Sequence, residues 1–323
     1  MFGLGKKRIV YVLGSGAAYG YAHIGVLKHL EELSLTPSAI VGTSMGAVLG
    51  SMYAAGLRTK DILRIIGNLD ILKLTNLFWP SFPHGGIIKS DHVRNFLTEI
   101  LGDHRIEDLP IPFVCVATDI VTGEEVIFSE GPLVEAVVAS LSMPAIFAPV
   151  AVGGRMLVDG GITNPLPMDV ARKLGNYSIA VNVLPRVTPK ERRRLRRERL
   201  AELDDIFSDR RERIALKSID AITKGIADLT RRHGGPPQTK PNAIRSILTA
   251  RRSSPGIFDV ISNMIWIFSK ELIRPKRSWG RYTLIEPDVR DFNMFDFTKA
   301  KEMIAIGYNA AKPHSSKLSR LAR

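Results

Sequence analysis

Two rhythms of apolar residues run through residues 8–185. Short unbroken runs, such as "RIVYVL" (8–13), alternate with stretches in which apolar residues recur at every third or fourth position. The first rhythm marks buried strands and the second marks helices packed by one face. Strands are expected at 8–13, 38–44, 111–120, 124–131, 155–161 and 177–184. Helices are expected at 22–33, where Ile24, Leu27, Leu30 and Leu33 share a face, at 45–56, stopped by Gly56, and at 91–102, capped by Asp91 and ended by Gly102. After Pro185 the rhythm changes. Residues 188–232 have a helical composition with a thin apolar stripe (Leu195, Leu200, Leu203, Ile206), and "HGGPPQTKPN" interrupts it as a linker. Residues 256–273 then carry Ile257, Ile261, Met264, Ile265, Phe268 and Leu272 on one helix face, read as core or as a lid. A strand at 281–289 and a helix at 297–312 close the pattern.

Strands interleaved with helices predict an α/β fold with a central, mostly parallel sheet covered on both faces. The expected division is an α/β domain at 1–185 and 281–312, a basic helical insertion at 186–280, and a basic tail at 313–323.

Composition sharpens this picture in two places. The 323-residue chain has a net charge of +13. Residues 186–252 hold 19 Lys and Arg against 9 Asp and Glu, so the excess is concentrated there. Such a run reads as a solvated helix face or as a surface for anionic membrane, through 186–213 above all. Aromatic residues are scarce in it, which disfavours nucleic acid. Cys115 stands alone, so no intramolecular disulfide forms, and it reads as a small buried residue. The N-terminal basic residues and "IVYVL" imitate a signal peptide, but the run is too short and enters a glycine loop directly. No segment offers the uninterrupted apolar length of a membrane span. The expectation is a cytoplasmic protein, peripheral on the inner face of a membrane.

Three glycine-punctuated motifs carry candidate chemistry. "VLGSGAAYGYAHIG" leads from the first strand through Gly14, Gly16 and Gly20 into a helix near Tyr21. Its backbone N–H groups suit either a phosphate or an oxyanion. A dinucleotide site also calls for an acidic residue at the end of the second strand, and that strand ends at Gly42, Thr43 and Ser44 instead. "GTSMG" sets Ser44 between Gly42 and Gly46 where strand turns to helix, the context of an exposed serine nucleophile. The partial positive charge of the following helix favours the alkoxide.

The usual base is a histidine, and none of the seven is well placed. His23 and His29 read as packing or surface residues on the first helix. His84 sits in "PHGG", on the wrong side of the serine for a hydrolase oxyanion motif. His92 and His104 lie on or after a helix, His233 in the linker and His314 in the tail. Asp159 is the better candidate. A strand delivers it into the Gly160–Gly161 turn of "RMLVDGGITNPLP". Spacing alone also allows a turn aspartate that caps its own loop. Histidines and carboxylates do not fall at metal-ligand spacings, and no cofactor or metal is expected.

Taken together, "GSGAAYGYAHIGVL", "GTSMG", the run 109–150, "LVDGGITNPLP" and the closing 282–311 segment resemble the bacterial patatin-like phospholipase family. The resemblance omits roughly residues 186–275. It implies a three-layer α/β/α fold and acyl-ester hydrolysis through an acyl-enzyme. It makes Ser44 the nucleophile and Asp159 its proton acceptor, with an oxyanion hole from the amides of Ser15, Gly16 and Ala17. The family usually carries Arg or Lys just before the last glycine of the loop, and this chain has Tyr19. Two functions remain open at this point: a lipid acyl hydrolase, or a non-catalytic lipid-binding or regulatory protein on the same fold.

Overall fold

The computed structural model describes residues 7–67, 91–144, 146–185, 267, 269, 272, 273 and 279–322. The expected helix at 188–232, its linker and most of the 256–273 stripe lie outside them. By its contacts the chain divides into two units, residues 1–185 with 257–323, and residues 186–256. Residues 257–280, expected in the insertion, thus join the α/β unit. Ser269, Ile273 and Trp279 are all buried there.

Strands β1 (Ile9–Leu13), β2 (Ala39–Thr43), β3 (Phe113–Asp119), β7 (Tyr177–Val181) and β8 (Tyr282–Ile285) pair in parallel, in the order β8-β7-β1-β2-β3. The first four are buried along their whole length, as strands covered on both faces must be. Beyond β3 the sheet turns antiparallel: β4 (Glu125–Phe128) and β6 (Arg155–Asp159) pair with β3, and β5 (Val150–Val152) pairs with β6.

Helices α1 (Tyr21–Glu32), α2 (Met45–Ala54), α3 (Thr59–Gly67), α4 (Asp91–Leu101), α5 (Leu133–Leu141), α6 (Met168–Leu174), α7 (Ala300–Ala311) and α8 (Ser315–Ala322) complete the described elements. Gly50 of α2 rests on Leu13 and Ile40, whereas Gly175, just past α6, rests on Val10. Leu13 and Val10 are three residues apart on one strand, so α2 and α6 cover opposite faces. The architecture is a mixed α/β three-layer fold around a mostly parallel sheet. Asp91 is the first residue of α4 rather than its cap, where its charge still suits the helix N-terminus. The expected tail is ordered as α8, with Leu318 buried and the Ser315 hydroxyl paired with His29 Nε2 at 2.8 Å.

The register of β3 sets up the site. Val116 has Thr43 of β2 on one edge and Ile127 of β4 on the other. The next residue, Ala117, has Asp159 of β6 on one edge and Val126 of β4 on the other. Since a strand residue has only two edges, β2 and β6 occupy the same edge of β3. β6 begins to pair where β2 leaves off.

Candidate functional site

That handover brings Ser44 and Asp159 together. Ser44 Oγ donates to Asp159 Oδ2 at 2.6 Å across 115 residues of sequence. Ser44 sits at the turn from β2 into α2 with φ 56° and ψ −124°, a conformation strained for a residue with a Cβ. Two glycines allow the turn to be this sharp. A Cβ on Gly46 would overlap the Leu13 carbonyl, and one on Gly42 would press on the first turn of α2. The Ser44 N–H donates to the buried hydroxyl of Ser140 at 3.0 Å, and that hydroxyl donates to the Val116 carbonyl at 2.6 Å. Asp159 N–H donates to the Ser142 carbonyl at 2.9 Å. The end of α5 thus holds the backbones of both residues.

Asp159 is 3% exposed and Ser44 5%. Burial raises the Asp159 pKa to about 6, while the hydrogen bonds from Ser44 and from Gly161 N–H, the latter at 2.7 Å to Oδ1, work to lower it. The carboxylate is therefore a stronger base than a free aspartate and ionises just below neutrality. Thr118 Oγ1 donates to the Asp159 carbonyl, and Ser269 Oγ to the Gly161 carbonyl, so the turn is held on both sides of the carboxylate.

The glycine loop faces this pair. Gly14 N–H donates to the Val181 carbonyl and Ser15 N–H to the Pro165 carbonyl at 2.8 Å. The Ser15 amide, expected as an oxyanion donor, is thus already committed. Ala17, at φ 46°, lines the cleft with Ser44 and Asp159, and no acceptor among the described residues takes the N–H of Gly16 or Ala17. His23 Nε2 lies 2.8 Å from the Gly14 carbonyl. Full burial lowers the His23 pKa to about 4, so the ring is neutral and donates this bond. His23, read from sequence as packing, thereby steadies the loop. The signal was its position one turn past Gly20, facing back along the helix. His29, His92, His104 and His314 do not line the cleft, and His84 and His233 lie outside the described residues. The cleft has about 660 Å³ counted to its open mouth, and its walls are apolar, from Val48, Phe96, Leu97, Leu141, Phe147 and Phe297.

Tyr19 is 8% exposed, and its hydroxyl donates to the Phe292 carbonyl at 3.0 Å. At this position the loop carries a neutral donor tied to the segment after β8.

Fold and site together define an α/β protein in which a serine at the end of a parallel strand meets an aspartate at the end of an antiparallel one, beside a glycine loop. The chain belongs to the patatin-like phospholipase family, whose model matches residues 11–172. It is 32% identical to a protein of Mycobacterium tuberculosis (strain H37Rv) described as an uncharacterized NTE family protein, across 94% of this chain and 90% of that one. It is 33% identical to human patatin-like phospholipase domain-containing protein 6 over 54% of this chain and 13% of that one. Among solved structures, VipD from Legionella pneumophila aligns with a TM-score of 0.43 at 14% identity, covering 97% of this chain and 67% of VipD.

Proposed function

We propose that this protein is a serine acyl hydrolase that cleaves ester bonds of lipids, of the phospholipase A, lysophospholipase or esterase type. The carrying observation is the 2.6 Å Ser44–Asp159 hydrogen bond at the floor of an apolar cleft. Family membership supports the lipid substrate class.

In this reading the acyl chain lies along the apolar walls and presents its carbonyl carbon to Ser44. Asp159 takes the hydroxyl proton as Oγ bonds to the carbonyl carbon. The oxygen becomes an oxyanion, met by the amides of Gly16 and Ala17; Ser15, whose N–H is engaged by Pro165, acts by fixing the loop. The C–O bond to the leaving alcohol breaks, and Asp159 returns its proton to that alkoxide. Water then attacks the acyl-enzyme, giving its proton to Asp159, and the fatty acid leaves as Ser44 recovers the proton. An aspartate remains a weak base towards an alcohol, so positioning and oxyanion stabilisation supply most of the rate.

No helix among the described residues is long and apolar enough to cross a membrane. The concentrated positive charge of residues 186–213 supports peripheral contact with anionic lipid, and so an inner membrane face as the place of action.

The test is a panel of short-chain esters, lysophospholipids and diacyl phospholipids, with fluorophosphonate labelling, on wild type and Ser44→Ala. Turnover and labelling are expected in wild type and absent from Ser44→Ala. Wild type inert to every ester and to the probe, or turnover untouched by the substitution, overturns the reading.

A further inference from the structure

The glycine loop and one wall of the cleft are physically joined. Residues 292–297 follow β8, and Phe295 and Phe297 from this segment line the cleft. The Phe292 carbonyl accepts from the Tyr19 hydroxyl at 3.0 Å, and the Met294 carbonyl accepts from Ala18 N–H at 3.0 Å. Tyr21 meets the Phe297 ring edge-to-face, with centroids 6.3 Å apart. Loop residues 18, 19 and 21 therefore each hold a partner in the wall segment. The two amides with no acceptor among the described residues, Gly16 and Ala17, sit immediately before the first of these anchors. Tyr19 N–H also closes back on the Gly16 carbonyl at 3.0 Å, so the residue that grips the wall shapes the turn containing those amides.

We propose that Tyr19 is a positioning residue that sets the oxyanion loop against the acyl-chain wall, so that filling the cleft with a long acyl chain improves the placement of the loop amides. The proposal rests on the hydrolase reading above. An acyl chain packed on Phe295 and Phe297 restrains residues 292–297, and the Tyr19 and Ala18 bonds carry that restraint to the loop. Binding energy from the unreacting end of the substrate is then expressed at the reacting carbonyl, as a rise in kcat with chain length. The Tyr19 hydroxyl suits this task. Burial, then the nearby Asp296 carboxylate, raises its pKa to about 12, so it remains a neutral donor at working pH.

The experiment compares wild type, Tyr19→Phe and Tyr19→Arg on p-nitrophenyl esters of increasing chain length. Active sites are counted by fluorophosphonate labelling, so that rates refer to folded enzyme. Tyr19→Phe keeps the buried ring and loses only the donor. Its kcat on long-chain esters is expected to fall about 10- to 100-fold, with KM nearly unchanged and the dependence of kcat on chain length flattened. Tyr19→Arg retains donors for the Phe292 carbonyl and faces Asp296, and its kcat is expected to stay close to wild type. A Tyr19→Phe kcat per labelled site equal to wild type at every chain length overturns the proposal and leaves the hydrolase reading intact. So does a fall in melting temperature alone, or a loss in Tyr19→Arg as deep as in Tyr19→Phe. Wild type that neither turns over esters nor labels overturns both.

Discussion

Asp159 carries opposite demands of stability and chemistry. In the proposed mechanism the base must be ionised, and burial penalises the ion. With its pKa near 6, turnover and Ser44 labelling are expected to rise with pH through about 6 and level off above 7, measurable as a pH–rate profile. Stability should move the other way. The folded pKa lies above the ordinary 3.8, so the protonated form is favoured by the fold. That contribution is complete below about pH 4 and is lost as pH rises through 6. Two pKa units correspond to roughly 3 kcal/mol. Asp159→Asn should therefore abolish turnover yet melt higher than wild type at pH 8, with the gain vanishing near pH 4. Equal melting temperatures at both pH values would mean that the carboxylate carries no such strain. Ser44 and Asp159 both stood out as candidates in the sequence, because each ends a strand beside glycines. Their pairing, seen at 2.6 Å, was expected only through the family resemblance, because nothing local encodes a contact across 115 residues.

At the scale of elements, helices α3 and α5 both went unread, and α5 is the one whose sequence hides its period. "LVEAVVASL" has almost no polar face from which to read a helical period, since seven of its nine residues are buried. The short β5 and α6 escaped for lack of length. Yet Ser140 in the last turn of α5 and Ser142 just past it hold the backbones of Ser44 and Asp159. Ser140→Ala leaves the Ser44 N–H and Val116 carbonyl buried without a partner. It should cost roughly 1–3 kcal/mol by chemical denaturation and slow fluorophosphonate labelling per folded site. A variant equally unstable but labelling at the wild-type rate would confine Ser140 to the fold. A second device joins α1 to α7. A Cβ on Gly307 would collide with the Ala22 carbonyl, and one on Gly25 with the Ile304 carbonyl. The two helices touch backbone to backbone, so Gly307→Ala should destabilise by roughly 1–3 kcal/mol in the same assay. Nothing in the sequence marks these two glycines, because only the partner helix reveals why they are needed.

Across the whole molecule, charge and catalysis are segregated along the chain. The α/β unit holds the site, and residues 186–252 hold most of the positive excess. The protein should therefore sediment with anionic vesicles and much less with neutral ones at low salt, and added salt should release it. Equal sedimentation with both would remove the membrane role from the basic segment. The alternating strand–helix order was legible because it recurs, whereas the antiparallel turn beyond β3 was not, because it depends on which edge is vacant. That vacancy has a further consequence. β6 fills the edge of β3 only after more than a hundred residues have followed Ser44, so on the proposed roles a growing chain displays its nucleophile long before its base exists. On the same roles, a partly synthesised or misthreaded copy should be chemically silent towards lipids. Reactivity at Ser44 would then report that the sheet has been completed, and in refolding experiments it should return no earlier than the docking of β6.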